Sequence, residues 1–239
     1  MRETFNRIED GQKVNIEVYL DAKENKENNP WIFSVFIKYD VNNESDEGLE
    51  EFFETKESLI IALEYENRAN YVGNRLVGDW SEIYFYANNT KELDAIVSKM
   101  LKPTGYMFES NSARDKDWEF FDNNIFPTDL ELCLMQSQHI ISLMQEEGDD
   151  KSIAREVEHY ASFDTLTQKD RFVEKALTCG FVFKDDISSD ELEYGVALTK
   201  EHSLNENELK EVISPLLDII KEEHGEYELW STTLQEDSE

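Results

Sequence analysis

Between Ala154 and Leu234 the chain reads as strand, helix, strand, strand, helix, strand, and this order restricts the fold more than any other feature. Glu156 to Ala161 alternates as a strand does. From Leu166 to Cys179 the apolar residues Phe172, Val173, Ala176 and Leu177 fall on one helical face, and Gly180 supplies the stop. Phe181 to Lys184 predicts a second strand, Asp185 to Asp190 an acidic turn, and Tyr194 to Lys200 a third strand. Leu209, Val212, Ile213, Leu216, Leu217 and Ile220 form the stripe of a second helix. Asn205 with Glu208 three positions later predicts a capping box at its start. Pro215 predicts a kink or a shortened helix. Tyr227 to Leu234 closes the unit as the last strand. A βαββαβ order is that of the ferredoxin-like split βαβ, an antiparallel sheet with helices on one face.

The preceding residues also read as α+β, a distant variation on the same architecture. Val14 to Leu20 and Trp31 to Tyr39 are strands, joined by a solvated turn over Ala22 to Pro30. An acidic loop over Val41 to Glu51 leads into a helix whose buried stripe holds Leu59, Ile60 and Leu63. Tyr71 to Val77 and Glu82 to Ala87 form a strand pair around Gly78-Asp79. Thr90 is placed to cap a helix whose apolar face holds Leu93, Ile96, Val97, Met100 and Leu101, ended by Pro103 and Gly105. Tyr106 to Glu109 resumes as a strand. Trp118 to Phe126 is a short aromatic segment of helical character, stopped by Pro127 and read as core. A helix from Thr128 to Gln145 opens the second part. Two domains are therefore expected, 1–127 and 128–239.

Charge narrows the function. The 239 residues carry 54 Asp and Glu against 23 Lys and Arg, a formal net charge of −31. Such a chain repels phosphate backbones, so direct nucleic-acid binding is not expected. A cationic protein segment would be steered toward it, although acidity also serves solubility alone. Cys133 and Cys179 make no CxxC pair, which suits a reducing cytosol. Met1 to Asp10 lacks the apolar core of a signal peptide, and no apolar run has the length of a membrane span. A cytoplasmic protein with no membrane partner is the expectation.

No motif points to catalysis. Neither GxGxxG nor GxxxxGK[ST] occurs, no serine lies in GxSxG, and the cysteines lack a thiol-protease context. The carboxylates Glu44, Asp46, Glu47, Glu50, Glu51 and Glu54 lack the rhythm of an EF-hand loop and read as a solvated face. His159 and Glu158 point to opposite sides of a strand, so they cannot pair with each other. His159 is placed to meet His202 or a carboxylate on a neighbouring strand, and is read as a structural histidine. No catalytic residue, metal ligand or cofactor is assigned.

Several ordered features resemble the regulator of ribonuclease E activity B family. They are the acidic helix end Glu146-Glu147-Gly148-Asp149-Asp150, the strand with Glu158-His159, and the helix with Ala176 and Gly180. Phe181, Tyr227, Trp230 and Thr232 follow. The resemblance runs from about Leu130 to Asp237. The family favours glycines around the tryptophan, where this chain has Leu229 and Ser231. The first part resembles the domain-of-unknown-function family 695, through Gly48, Val72-Gly73-Asn74-Arg75, Tyr84-Phe85-Tyr86 and the run DKDWEFFDNNIFP. The first resemblance implies a ferredoxin-like, non-catalytic regulator that binds a ribonuclease through protein contact. The candidate partner-binding residues are Glu146, Glu147, Asp149, Asp150, Asp185, Asp186 and Asp190 as charge carriers, with Trp230 as an anchor. The partner would be a basic segment of a ribonuclease or RNA-processing protein. A sheet edge also invites pairing with a second copy as a homodimer. Two other readings stay open: a carboxylate- and metal-dependent hydrolase, and an immunity-type inhibitor of a basic nuclease toxin.

Overall fold

A computed structural model describes residues 1–39, 45–187 and 194–235. It divides into two units, Met1–Pro127 and Thr128–Glu239.

The first unit begins with strands β1 (Arg2–Glu9) and β2 (Gln12–Tyr19), joined by Asp10-Gly11. Both turn residues have positive φ, 49° and 78°, as a two-residue hairpin turn requires. β1 is absent from the sequence reading for a physical reason: Phe5 is its one buried residue, so no apolar alternation marks it. A 3₁₀ segment, Leu20–Asn28, occupies the stretch expected to be a plain turn. Then come β3 (Trp31–Lys38), α1 (Asp46–Glu64), β4 (Asn70–Val77), β5 (Trp80–Ala87), α2 (Leu93–Leu101) and β6 (Phe108–Arg114). The six strands lie in the order β1-β2-β4-β5-β3-β6, each pairing antiparallel. The elements from β3 onward are themselves βαββαβ, and the hairpin β1-β2 extends that sheet beside β4.

Both faces of β3 and β5 are covered, which is why they read as apolar runs rather than alternating ones. Phe33, Val35 and Ile37 pack with Leu59 and Leu63 of α1 and with Val97 and Leu101 of α2. On the other face Tyr86 stacks on Trp118, ring centroids 3.9 Å apart. Trp118 is followed by a π-helical turn, Phe121–Ile125. Gly73 sits under that turn. A Cβ there would lie 2.6 Å from the Glu17 carbonyl oxygen and 2.7 Å from Ile125 Cγ2, so only glycine allows this closure. Thr90 does not cap α2: Glu92 holds the N-cap position with φ 69° and makes no side-chain cap bond. Its left-handed backbone turns the chain into the helix without that cap.

The second unit runs α3 (Asp129–Glu146), β7 (Arg155–Phe163), α4 (Leu166–Thr178), β8 (Val182–Ile187), β9 (Tyr194–His202), α5 (Glu206–Glu222) and β10 (Glu226–Thr232). Its antiparallel sheet has the order β10-β7-β9-β8. In order of appearance that is fourth, first, third, second, the ferredoxin-like arrangement expected of the pattern. Phe172 and Ala176 of α4 and Val212, Leu216 and Ile220 of α5 pack on Ala161, Val196 and Leu198. α3 adds a further layer, with Cys133 and Ile141 against Leu209, Ile213 and Trp230.

Local chemistry departs from expectation at the start of α5. The capping box belongs to α3, where the Thr128 hydroxyl accepts from Glu131 N and the Glu131 carboxylate accepts from Thr128 N. At α5, Asn205 holds the N-cap position without a side-chain cap bond; its backbone N and Nδ2 both donate to Ser203 Oγ, whose hydroxyl donates to Glu208. Pro215 lies within α5, which continues through to Glu222. Leu229 has φ 98° at a β-bulge in β10. That left-handed backbone favours glycine, so Leu229 is strained there.

Candidate partner-binding face

The sheet of the second unit has two chemically opposite faces, set by the two-residue alternation of its strands. The face under the helices carries Val157, His159 and Ala161 of β7, opposite Lys200, Leu198 and Val196 of β9. His159 is 1% exposed and His202 2%. Their Nε2 atoms are 3.0 Å apart, so the histidine expected on a neighbouring strand is indeed the partner of His159.

The protons in this cluster follow from the donors available. The Ser203 carbonyl can only accept, so His202 Nδ1 carries hydrogen toward it at 2.6 Å. Neutral His202 then accepts at Nε2, His159 donates from Nε2, and His159 Nδ1 accepts from the Tyr227 hydroxyl at 2.8 Å. Burial first, then the nearby His202 and Lys200, push His159 down to about 3. Burial also lowers His202. Charging either ring removes an acceptor and places a cation in an apolar layer. A folded-state value below the usual ~6.5 means that the unfolded chain binds the proton more tightly. Stability is therefore full above about pH 6.5 and declines as pH falls toward 3, by about 2 kcal/mol at pH 5. Urea unfolding of the second unit at pH 7 and pH 5, followed by amide exchange in β7 and β9, measures this. His159→Gln should flatten the difference, and an unchanged pH dependence would refute the assignment.

Nothing in this cluster forms a nucleophile with a base. The Cys133 thiol, in a groove of about 360 Å³ between α3 and α5, is pushed up to about 11 by burial and then by Asp129. It is protonated at neutral pH and is a poor nucleophile. Among the described residues no group of three or more His, Cys, Asp and Glu is placed to hold a metal ion.

The opposite face is open and acidic. Glu156 and Glu158 of β7, Glu201 of β9, Glu226 and Glu228 of β10 and Asp185 of β8 lie on it. Lys184 is its one cation among the described residues, and it is held by Glu158. That hydrogen bond is the main reason Glu158 lies below the usual carboxylate range. Glu156 stands directly across from Glu201, and neither forms a salt bridge among the described residues; Lys184 is bonded to Glu158 and attracts Glu156 only through space. Like charges in register oppose folding, so this face keeps an unfavourable contact that a bound cation would relieve.

The eight residues singled out from sequence divide sharply. Glu146 and Glu147 are exposed at the end of α3. Their turn is tied to the sheet end where β7 starts, by Asp150 N donating to the Gln235 carbonyl and Leu204 N to that of Lys151. Asp150 is half-buried and accepts from Ser152 N at 2.8 Å. Asp185 lies on the acidic face. Asp186 turns to the helix side and is paired with Lys169. Asp190 lies outside the described residues. Asp149 and Trp230 are inside the fold, which corrects their expected roles. Asp149 is 6% exposed and holds buried Arg155. Trp230 is 4% exposed, and its Nε1 donates to Ser137 Oγ at 2.8 Å. β10 is indeed an edge strand, but register turns the indole under α3 rather than outward. Glu156, Glu158, Glu201, Glu226 and Glu228 were not singled out from sequence. Their signal was the alternation itself: acidic residues at i and i+2 on two strands of one sheet.

Comparison with known families bears on both units. A model of the Family of unknown function (DUF695) matches residues 4–125, just over half of the chain. The chain belongs to this family. The DUF695 match covers the six-stranded first unit. A second model, Regulator of ribonuclease activity B, matches residues 134–232, which span the second unit from α3 through β10. That match supports a regulator of ribonuclease activity. The chain is also similar to an unknown protein from Galdieria sulphuraria, at 12% identity over 86% of this chain and 99% of that one, with a TM-score of 0.24. Among curated proteins there is no match. No described helix is long and apolar enough to cross a membrane.

Proposed function

We propose that this DUF695 protein regulates a ribonuclease or another RNA-processing protein, without catalysis of its own, by holding a basic segment on the acidic face of its second sheet. The observation that carries the reading is the cross-strand pair Glu156 and Glu201, neither in a salt bridge, on a face that among the described residues has six carboxylates and one lysine. The match to the regulator model over the same unit supports it. A cationic segment bound there offsets carboxylate repulsion and is itself withdrawn from RNA, since the same Lys and Arg neutralise phosphate. Glu146, Glu147 and Asp150 extend the negative potential at one end of the sheet. The partner's approach is accelerated by that potential and slowed by salt.

Affinity purification from the native host at rising salt tests this reading. A basic RNA-processing protein should be recovered at low salt and lost as screening increases. The triple variant Glu156→Gln, Glu201→Gln, Glu228→Gln should weaken capture at least tenfold. Its folding stability should hold or rise by a few tenths of a kcal/mol, because repulsion is relieved. Recovery of no basic RNA-processing protein at low salt, or full capture by the triple variant, would remove the proposal.

A further inference from the structure

β8 is the most exposed strand of the second sheet. It pairs with β9 on one side, and among the described residues no strand lies on the other. Five of its six residues are exposed and Ile187 is half-buried. Val182 is 61% exposed and Phe183 42%, unusual for large apolar residues in a strand that is already paired. Leu177, at the end of the adjoining helix α4, is 46% exposed. Apolar side chains and free backbone groups together make an edge that another strand can extend.

We propose that β8 accepts an extended basic segment as a fifth strand, in which lysine or arginine alternates with apolar residues; this rests on the reading above and names its mode of binding. The two-residue period of the added strand meets two different surfaces. One row of its side chains faces outward, level with Asp185 and the carboxylates of the acidic face. The other row lies on the helix side, beside Phe183, which is in register with Leu198 on that face. Charge selects the occupant. Asp185 and Asp186 are consecutive on β8, against Lys184 alone, and Lys184 is held by Glu158. Asp186 is paired with Lys169, which leaves Asp185 as the aspartate of β8 without an ion pair among the described residues; two copies meeting edge to edge would bring two such carboxylates together, which disfavours a second copy of this chain and favours a cationic strand.

The test uses the full chain and two synthetic probes, acetyl-(Lys-Val)₄-amide and the same peptide N-methylated at every residue. The methylated probe keeps all four charges but cannot donate strand hydrogen bonds. The plain peptide should bind at low salt, slow amide exchange across 182–187 at least tenfold, and bind at least tenfold more tightly than the methylated one. Phe183→Ser, at an exposed position, should weaken the plain peptide severalfold. Equal binding of the two probes would overturn strand addition while leaving electrostatic capture standing. Binding of neither would sink both readings. Protection at β10 or β1 instead of β8, or a dimer formed through β8 without peptide, would also overturn the proposal.

Discussion

Asp149→Asn should destabilise the second unit by about 3–5 kcal/mol, because it leaves a buried guanidinium without its counter-charge. The Asp149 and Arg155 side chains are 0% and 2% exposed. Asp149 Oδ1 accepts from Arg155 and also from Gln235 N at 2.7 Å, which ties the turn after α3 to the segment beyond β10. Arg155 in turn donates to the carbonyls of Ile153, at 3.1 Å, and Asp150. The asparagine has the same shape, so the loss reads charge rather than packing. Urea unfolding, followed by amide exchange in β7 and β9, would measure it. The paired change Asp149→Leu with Arg155→Met should recover much of the loss, since apolar residues of similar volume replace such a pair at little cost. A single variant as stable as the parent would show that this ion pair does not hold the turn.

Trp118→Ala should cost the first unit about 3–5 kcal/mol. The ring is 0% exposed, stacked on Tyr86 and edge-on to Phe121 at 5.5 Å, with Nε1 donating to the Asn29 carbonyl at 2.8 Å. Its removal opens a cavity, strips a buried carbonyl of its donor, and uncovers the second face of β3 and β5. Against a typical total of about 5–15 kcal/mol, that is a large fraction of the stability. Trp118→Phe should fall between, keeping the stacking and losing the hydrogen bond. Thermal unfolding with near-UV circular dichroism checks both, and a melting temperature within about 2 °C of the parent for the alanine variant would contradict this account.

The legibility of the chain followed the strength of local signals. α4, β9 and α5 were plain because their apolar residues repeat with an unbroken period, and Gly148 and Gly180, at φ 94° and 82°, end their helices as glycine does. β1 was invisible because an edge strand with one buried residue carries no alternation. Helix starts were the weakest readings. Thr90 and Asn205 have the right residue type, but Glu92 takes the N-cap position of α2, and Asn205 makes no side-chain cap bond. Among the candidate site residues, charge was legible and orientation was not. Asp149 has the same composition around it as Asp150, yet one is folded inward against Arg155 and the other caps a turn. Trp230 is in an edge strand, and only its register against His159 shows that the ring turns inward.

By itself the sequence determined the two α+β units, the ferredoxin-like order of the second, and the excess of carboxylates. Periodicity and net charge are local or additive properties, so a linear reading recovers them. Tertiary structure decided which carboxylates remain available. Strand register places Glu156 against Glu201 on an open face, while chain closure consumes Asp149 in a buried pair. Those outcomes depend on contacts between residues far apart in the chain, and no local pattern encodes them.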